Sequence, residues 1–506
     1  MKIAGLVTRK AIRHRWWMLP LMLLIALWLP AADQGGYRTD THYYAAIALQ
    51  AWKAALSYAS VTPLLDLRAG DRVYMNKPPL AFILHGEIIT WLGLSMWTVR
   101  LGSLLAAMLT CVATSILLRR LAGWRVAMMS GLVLATTVEF FRYTRAISLD
   151  LWQCAFVMIS LAMLVMGIPR DDKNENRLRR GWMVAAGVPL GLALLCKPFM
   201  ALLAPLLFIA WLALRRKHSA ILMTIAAMIV GVAVALPWHV WMWHIHGDEF
   251  LRVYVQNQSI DRAVGNAGDM PGVQEPWWFY FNVIATTYAP WLLSAICGGS
   301  WLLRRRRPSG GSFALMQLAV VWSVAWLIVL TVFDGKSSRY TVIIWPLLSA
   351  MSGLWIVHQS QGAAGMMRTV GRYVMLWLGP AAVFTGVLLT TVPLNIHKPR
   401  DFAWDQLLKE VDAHPDRELV CTQRAHHIAA NLVMLGRTWP PMMEESPGML
   451  LTGMDASSPE FPSAAGPGTY VLDHAQEYDP QRLPGDLIMK SEMFVLVLQM
   501  KSANPK

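Results

Sequence analysis

The sequence predicts a polytopic α-helical membrane protein that ends in a small α/β domain. Of its 506 residues, 56% are hydrophobic and only 15% are charged, with a mean hydropathy of +0.41. Soluble domains carry about 25% charged residues, so this composition indicates an integral membrane protein. Long apolar segments recur through the first 394 residues and are absent from the rest of the sequence.

Eleven apolar segments are long enough to cross a hydrocarbon layer of about 30 Å. They are predicted at residues 16–32, 99–118, 124–141, 150–168, 182–196, 199–214, 219–243, 279–303, 312–333, 340–357 and 371–393. A further apolar run, residues 78–97, is interrupted by His85 and Glu87. We expect this run to be a helix in the membrane interface, within a long first external loop.

The positions of the basic residues predict the orientation. With eleven crossings, the clusters RRLAGWR, RDDKNENRLRR, RRK and RRRR all face the cytoplasm, as the positive-inside rule requires. If residues 78–97 also crossed, the first two clusters would change sides. The N-terminus is therefore predicted inside and the C-terminus outside. Cytoplasmic loops explain much of the net charge of +14, which gives no support to nucleic-acid binding.

Two domains are predicted. Residues 1–394 form the transmembrane domain, and residues 395–506 form an external α/β domain in which short β-like runs alternate with helical ones. The β-like runs are ELVCT (418–422), TYVLD (469–473) and MFVLVLQM (493–500). The five cysteines lack CxxC spacing, and no P-loop, GxGxxG, GxSxG or HExxH motif is present. The sequence thus gives no support to nucleotide-driven transport or to the common hydrolase mechanisms.

Two aspartates at the predicted external ends of apolar segments are the first functional candidates. Asp40 lies in the first external loop, and Asp150 begins a span. Carboxylates beside hydrophobic spans are costly and usually functional. Each also has a structural explanation, since Asp40 could cap the next helix and Asp150 suits the positive end of a helix dipole. Their shared predicted face favours a functional role.

Cationic residues lie near the same external ends, where the positive-inside rule disfavours them. These are Arg142, Arg145, Lys197, Lys336 and Arg339. Snorkelling explains any one of them, but together they suit an anionic ligand such as a phosphate. Lys77 stands before two prolines, which hold the chain rigid around it. His244 and His246 resemble a metal pair, but without further ligands they indicate ordinary interfacial histidines.

These features resemble the GT-C glycosyltransferases, and more narrowly the aminoarabinose transferase (ArnT) group related to protein O-mannosyltransferases. The matching stretches include TDTHYYAAIAL, NKPPLAF, LALLCKPFMALLAPL, ALPWHVW, PWWFYFNVIATTYAPWLL and GKSSRY. The resemblance implies the GT-C fold and a glycosyltransferase (pentosyl- or hexosyltransferase) of the bacterial inner membrane, with its active site facing the periplasm. Such enzymes take a sugar from undecaprenyl phosphate, with inversion. In the aminoarabinose group the acceptor is a lipid A phosphate of lipopolysaccharide.

The resemblance also assigns residues. Asp40 and Asp150 match the catalytic carboxylates. The positions that match contacts to the donor phosphate or the substrate are Lys77, Arg145, Lys197, Lys336 and Tyr340. Arg339 joins them as a neighbouring cation, and Tyr43 joins them as a substrate contact at a position where the family often has Arg. In the family a Glu before Lys-Pro and a His after the Pro-Trp span can bind a metal. Here Asn76 replaces that Glu and residues 250–262 contain no His, so no metal is expected.

No cofactor is expected besides the polyprenyl-phosphate-linked sugar, and a monomer is expected. Two alternatives stay open from the sequence. One is a glycosyltransferase with the same type of donor that modifies a protein or another surface glycan. The other is a lipid or ion transporter, which would favour charges near the bilayer midplane and an internal repeat. The charges here gather at span ends, and no repeat is evident.

Overall fold

The computed structural model describes most of the first 362 residues and selected elements beyond them. The described ranges are residues 17–33, 40–169, 178–197, 200–261, 275–304, 310–362, 403–421, 430, 432–433, 437, 440, 470–474, 486–490 and 494–498. The chain divides into two compact units. The first unit comprises residues 1–34, 75–88 and 95–394, and the second comprises residues 35–74, 89–94 and 395–506.

The described residues are mainly helical. In chain order the helices are α1 (Met18–Trp28), α2 (Thr41–Ser57), α3 (Thr62–Leu65), α4 (Leu80–Leu92), α5 (Met96–Ala122), α6 (Trp124–Ala135), α7 (Val138–Tyr143), α8 (Leu149–Gly167), α9 (Arg180–Ala185), α10 (Gly187–Leu194), α11 (Leu203–Leu214), α12 (His218–Phe250), α13 (Phe279–Thr287), α14 (Ala289–Arg304), α15 (Gly311–Val332), α16 (Trp345–Gly362) and α17 (Ala403–Ala413). The strands are β1 (Arg68–Ala69), β2 (Arg72–Val73), β3 (Leu419–Cys421), β4 (Tyr470–His474), β5 (Asp486–Lys490) and β6 (Phe494–Leu498).

Every predicted span within the described residues coincides with a helix or a pair of helices, and the span at 371–393 lies outside them. By length and composition, four described helices can cross a membrane alone: α5, α8, α15 and α12 with its continuation to Gln258. The bent pair of α13 and α14 adds a fifth. The other apolar helices are shorter, so the predicted number of eleven crossings stays a prediction.

The run at 78–97 is divided by a turn. Helix α4 ends at Leu92, and Gly93 follows with a φ of 83°, a conformation that favours glycine. Ser95 then begins α5 with a capping box, in which its side chain and that of Thr98 each accept the other residue's backbone N–H. Helix α5 therefore starts before the predicted span at 99–118 and continues to Ala122.

Hydrogen bonds to two side chains of α5 fix the segment that follows α1 and the start of α8. Arg100 is 1% exposed, and its Nη1 donates to the carbonyls of Ala31 and Ala32 at 3.0 and 2.7 Å. One turn further along α5, the Ser103 hydroxyl accepts the backbone N–H of Ser148 at 2.9 Å. Because Ser148 immediately precedes α8, this hydrogen bond places the start of α8 against α5.

The second unit contains α2, the β1–β2 hairpin and a four-stranded sheet. The strand order is β3-β4-β6-β5, with β3 parallel to β4 and the other pairs antiparallel. Its core contains Leu407, Cys421, Leu432, Tyr470, Leu472 and Leu496. Within this core, burial chiefly and the charge of Asp71 secondarily raise the pKa of the Cys421 thiol to about 12. Residues of the first predicted loop thus belong to the same unit as the C-terminal sheet.

The three predicted β-like runs are confirmed as β3, β4 and β6. Sequence reasoning missed β5, an edge strand whose Leu487 and Ile488 are exposed. An edge strand needs only one partner and buries little, so its sequence lacks a strong apolar alternation.

Candidate active site

Asp150 stands in the first turn of α8, but it is not the residue that caps this helix. The cap is Ser148, whose hydroxyl accepts the backbone N–H of Leu151 at 3.2 Å. The Asp150 carboxylate instead accepts a hydrogen bond from Nζ of Lys197, and the two form a contact ion pair. Their side chains are only 14% and 13% exposed. Helix capping therefore does not explain Asp150, although its charge suits the helix N-terminus.

Lys197 is held through its backbone as well as its side chain. It follows α10, and its carbonyl accepts a hydrogen bond of 3.0 Å from the Gln153 side chain. Gln153 lies one turn after Asp150, so α8 presents both groups on one face. The Lys197 ammonium also lies 4.1 Å from the centroid of the Tyr340 ring, in cation–π geometry. Lys197 therefore connects the start of α8 to the segment that carries Tyr340.

That segment, residues 334–343, carries three predicted ligands of an anion. It ends in a 3-10 helix, Ser338–Ile343. The Arg339 guanidinium carbon lies 5.7 Å from the Tyr340 ring centroid, on the same ring that contacts Lys197. Lys336 has a side chain that is 5% exposed, with Nζ 4.0 Å from a carboxylate oxygen of Asp334. The segment thus concentrates positive charge beside the Asp150–Lys197 pair.

Two tyrosine hydroxyls hold the start of this 3-10 helix. Tyr143, the last residue of α7, makes a hydrogen bond of 2.8 Å between its hydroxyl and that of Ser338. Tyr280 of α13 accepts the backbone N–H of Ser337 at 3.1 Å. The charge of Asp150 acts on both tyrosine hydroxyls, which places them near the ion pair. Burial raises the pKa of Tyr143, so its hydroxyl keeps its proton at neutral pH.

The last turn of α7 and the connection that follows it each carry one arginine. Arg142 donates to Glu139 at 3.3 Å, and Glu139 is fully buried, so this arginine balances an internal carboxylate. Arg145 follows in the turn that leads to Ser148 and α8. Burial lowers the pKa of Arg145 from its ordinary value, yet an arginine keeps its charge in proteins. Of the two arginines, Arg145 is the better candidate to bind an anionic ligand.

Lys77 makes a different contact within the first unit. It is 8% exposed, and its Nζ donates a hydrogen bond of 2.9 Å to the Gln258 side chain. Gln258 lies in a π-helical segment, Leu251–Asp261, that continues α12 past a kink at Gly247. The contact joins residues 181 positions apart in the chain.

Asp40 belongs to the second unit, where it immediately precedes α2. It occupies the cap position, but its side chain makes no capping hydrogen bond, so the capping explanation does not apply. Its charge acts on Tyr43, and burial together with that charge raises the pKa of Tyr43 to about 12. Tyr43 packs edge-on against Tyr74, with ring centroids 5.9 Å apart. Asp40 thus lies beside the half-buried Tyr43, which packs on the buried Tyr74.

Solved structures with the same architecture match almost the whole chain. ArnT from Cupriavidus metallidurans bound to undecaprenyl phosphate superposes with a TM-score of 0.70 and 17% identity, covering 97% of this chain and 99% of that chain. The archaeal oligosaccharyltransferase AglB from Archaeoglobus fulgidus, in complex with an inhibitory peptide and a dolichol-phosphate, gives a TM-score of 0.56 and 12% identity over 85% of this chain and 64% of its own. The chain has the GT-C fold.

Comparisons of sequence agree with this GT-C fold. The family model described as dolichyl-phosphate-mannose-protein mannosyltransferase matches residues 76–241. An undecaprenyl phosphate-alpha-4-amino-4-deoxy-L-arabinose arabinosyl transferase of Pseudomonas fluorescens is 23% identical over 72% of this chain and 61% of its own length. The Edwardsiella ictaluri enzyme of the same name is 24% identical over 75% of this chain and 66% of its own. The chain therefore spans about three fifths to two thirds of these relatives, and the predicted resemblance is confirmed.

Within this GT-C protein, the structure brings together four of the residues predicted from sequence: Asp150, Lys197, Arg339 and Tyr340. Sequence reasoning missed Tyr143, Tyr280 and Gln258. No sequence signal distinguished the two tyrosines from the many other aromatic residues that are predicted at the membrane interface. Gln258 had one, because it lies in the range 250–262, where the family has the histidine that this chain lacks.

The structure also bears on the metal question. Among the residues that it describes, no group of three or more His, Cys, Asp or Glu side chains is arranged to hold a metal ion. His244 and His246 lie near the end of α12, just before its kink.

Proposed function

We propose that this chain is a glycosyltransferase of a bacterial inner membrane that moves a sugar, such as aminoarabinose, from undecaprenyl phosphate to a lipid A phosphate or a related periplasmic glycolipid. The observation that carries this proposal is the placement of Lys197, which pairs with Asp150 and lies over the ring of Tyr340. A partly buried ammonium at the end of apolar helices suits a lipid-borne phosphate. The names of the relatives supply the candidate sugar and donor.

The sugar donor enters with its phosphate toward Lys197 and Arg339, and Lys336 and Arg145 supply further positive charge. Transfer breaks the bond between C1 of the sugar and the phosphate oxygen, and undecaprenyl phosphate leaves with the bonding electrons. Cations placed at the departing oxygens stabilise this charge as it develops. The acceptor oxygen attacks C1 from the opposite side, so the configuration inverts.

Asp150 has two roles in this mechanism. Before the sugar donor binds, its carboxylate balances the Lys197 ammonium, since an unpaired charge in a poorly hydrated site is costly. When the phosphate binds, the ammonium turns toward it, and Asp150 lies beside the reacting sugar. There the carboxylate orients the sugar or stabilises the positive charge that develops on its ring.

Asp40 is proposed as the second carboxylate, and its role depends on the acceptor. A hydroxyl acceptor must lose its proton, and Asp40 would take it as general base. A phosphate acceptor is largely ionised at neutral pH, because its second pKa is about 6. In that case Asp40 orients the sugar, and Tyr43 beside it contacts the substrate. Lys77 neutralises a carboxylate or holds an anion.

A second candidate acceptor is a protein. The family model that matches residues 76–241 is a protein mannosyltransferase model, and AglB was solved with a peptide. The proposed chemistry at the sugar donor is the same for either acceptor, so the arrangement around Lys197 does not distinguish them. A lipid transporter is the least favoured function, because the charged residues gather where the helices end.

Two experiments test the proposal. The first compares lipid A by mass spectrometry from cells with and without the gene under inducing conditions. An added aminoarabinose that disappears with the gene and returns with the wild-type copy supports the lipid A acceptor. If lipid A is unchanged, the second experiment assays the purified protein with undecaprenyl-phosphate sugar and either a glycan or a peptide acceptor. Failure to consume the sugar donor with any acceptor would exclude a glycosyltransferase of this kind.

A further inference from the structure

A cavity lies at the opposite end of the helices from the candidate active site. Helix α5 begins near the site, where Ser103 contacts Ser148, and its 27 residues extend for about 40 Å. Helices α15 and α16 likewise flank the segment 334–343 at one end. At their other ends the three helices and the start of α6 surround a cavity of about 500 Å³. Because α5 and α15 are candidate spans, the cavity and the active site are expected on opposite membrane faces.

Apolar side chains line part of this cavity, and cationic, aromatic and polar ones line the rest. The latter include Trp124, Arg125, Ser312, Trp355 and His358. The Arg125 guanidinium carbon lies 5.5 Å from the centroid of the Trp124 ring, so the charge is held against an aromatic face. Arg119 and Arg120 lie in the last turn of α5, close to this end. Tryptophan beside arginine is typical of the head-group region of a membrane.

Backbone groups add to this positive potential. The first turns of α6 and α15 both line the cavity, and both follow a glycine, Gly123 and Gly310, that has no side chain to cap them. The first backbone N–H groups of a helix lack partners within the helix and carry a partial positive charge. Two helix N-termini and Arg125 thus meet in one cavity.

We propose that this cavity binds the phosphate of an anionic glycerophospholipid of the cytoplasmic leaflet. Basic pockets between transmembrane helices on the cytoplasmic side are suited to anionic head groups. The basic cluster RRLAGWR, which contains Arg119, Arg120 and Arg125, is the kind of loop that the positive-inside rule places there. The lipid is a structural ligand, distinct from the undecaprenyl-linked sugar, and this inference does not depend on the proposed function.

The test measures lipid retained by the purified full-length protein, with native mass spectrometry and added phosphatidylglycerol or phosphatidylcholine. The Arg125→Ala variant is expected to bind phosphatidylglycerol about fivefold more weakly, the effect of one basic residue on an anionic lipid. The matched control is Arg215→Ala. Arg215 follows α11 in another basic cluster, and its guanidinium carbon lies 5.6 Å from the Trp211 ring centroid, but it does not line the cavity.

A second variant, Ser312→Trp, fills the cavity without removing a charge and is also expected to release the lipid. Thermal unfolding without added lipid checks that each variant is folded. If Arg125→Ala and Arg215→Ala lost phosphatidylglycerol to the same extent, the lipid would be attracted by the surface charge in general, and the proposal would be overturned. Equal binding of phosphatidylcholine would overturn it too. Full displacement of the lipid by millimolar inorganic phosphate would assign the cavity to a free anion instead.

Discussion

Lys197 and Asp150 form a contact ion pair at the start of α8, although 47 positions separate them in the chain. The same ammonium lies 4.1 Å from the Tyr340 ring centroid, so one lysine joins three distant parts of the sequence. The pair balances charge in a poorly hydrated place. It also leaves an ammonium ready to turn toward a phosphate, which is the basis of the proposed mechanism.

Mutation of Lys197 is expected to weaken binding of the donor, whereas mutation of Asp150 is expected to slow sugar transfer. Lys197→Gln removes the cation that is proposed to contact the donor phosphate, and binding of undecaprenyl phosphate is expected to weaken about 10- to 100-fold, as for a lost hydrogen bond to a charged group. Asp150→Asn keeps that binding within a few-fold but slows sugar transfer. Binding is measured by titration and transfer by mass spectrometry. Lys53→Gln, at an exposed lysine of α2, serves as the control. Equal binding by the wild type and Lys197→Gln would refute the role of Lys197.

The Tyr143 hydroxyl is expected to position the segment that carries Arg339 and Tyr340. Tyr143→Phe removes the hydrogen bond to Ser338, which is worth about 1 kcal/mol, and weakens undecaprenyl phosphate binding several-fold. Both hydroxyls also hydrogen-bond to the buried Glu139, so Ser338→Ala in that background removes a remaining contact of this 3-10 helix and is expected to weaken binding further.

A control variant at a second buried tyrosine, Tyr288, separates weaker ligand binding from a general loss of stability. The Tyr288 hydroxyl lies 2.9 Å from the Ser352 hydroxyl, in a buried pair with a different location. Tyr288→Phe is expected to lower the melting temperature similarly and to leave ligand binding unchanged. If both variants bind undecaprenyl phosphate as well as the wild type, Tyr143 has no positioning role.

The contact between Lys77 and Gln258 is expected to contribute to stability. Gln258→Ala removes an acceptor from an ammonium that is only 8% exposed, and we expect a loss of about 1–3 kcal/mol in the free energy of unfolding. Gln256→Ala, in the same π-helical segment, breaks an exposed hydrogen bond to Asp261 and costs little. Thermal unfolding of the two variants in detergent makes the comparison. Equal melting temperatures would show that the Lys77 contact is dispensable.

Mutation of Asp40 is expected to affect sugar transfer, whereas mutation of Ser148 is expected to affect stability. Asp40→Asn keeps the size of the side chain and removes no capping hydrogen bond, and it is expected to slow transfer to a hydroxyl acceptor about 100-fold or more in a protein that remains folded. Ser148→Ala removes a real cap and should cost about 1 kcal/mol of stability. Transfer assays beside thermal unfolding test both. An Asp40→Asn variant with full activity toward every acceptor would remove Asp40 from the mechanism.

Much of the fold was predictable because local patterns express it directly. The apolar segments coincide with helices wherever the structure describes them, and three β-like runs of the C-terminal part are strands. The boundaries were less predictable, since they depend on single residues. The run at 78–97 was predicted as one helix, yet Gly93 and the Ser95 cap divide it. The edge strand β5 was missed because it needs little apolar pattern.

The sequence by itself determined that this is a helical membrane protein whose functional candidates are carboxylates and cations at helix ends, because hydropathy and charge are local properties. It also indicated Asp150 as a catalytic carboxylate and, with the family resemblance, Lys197, Arg339 and Tyr340 as contacts of the donor phosphate or the substrate. Only the tertiary structure decided which of them touch, that Ser148 rather than Asp150 caps α8, and that Tyr143, Tyr280 and Gln258 support the predicted ligands. Contacts between residues that are tens to hundreds of positions apart depend on how the helices pack. Helix packing cannot be read from the local pattern of any one segment of the sequence.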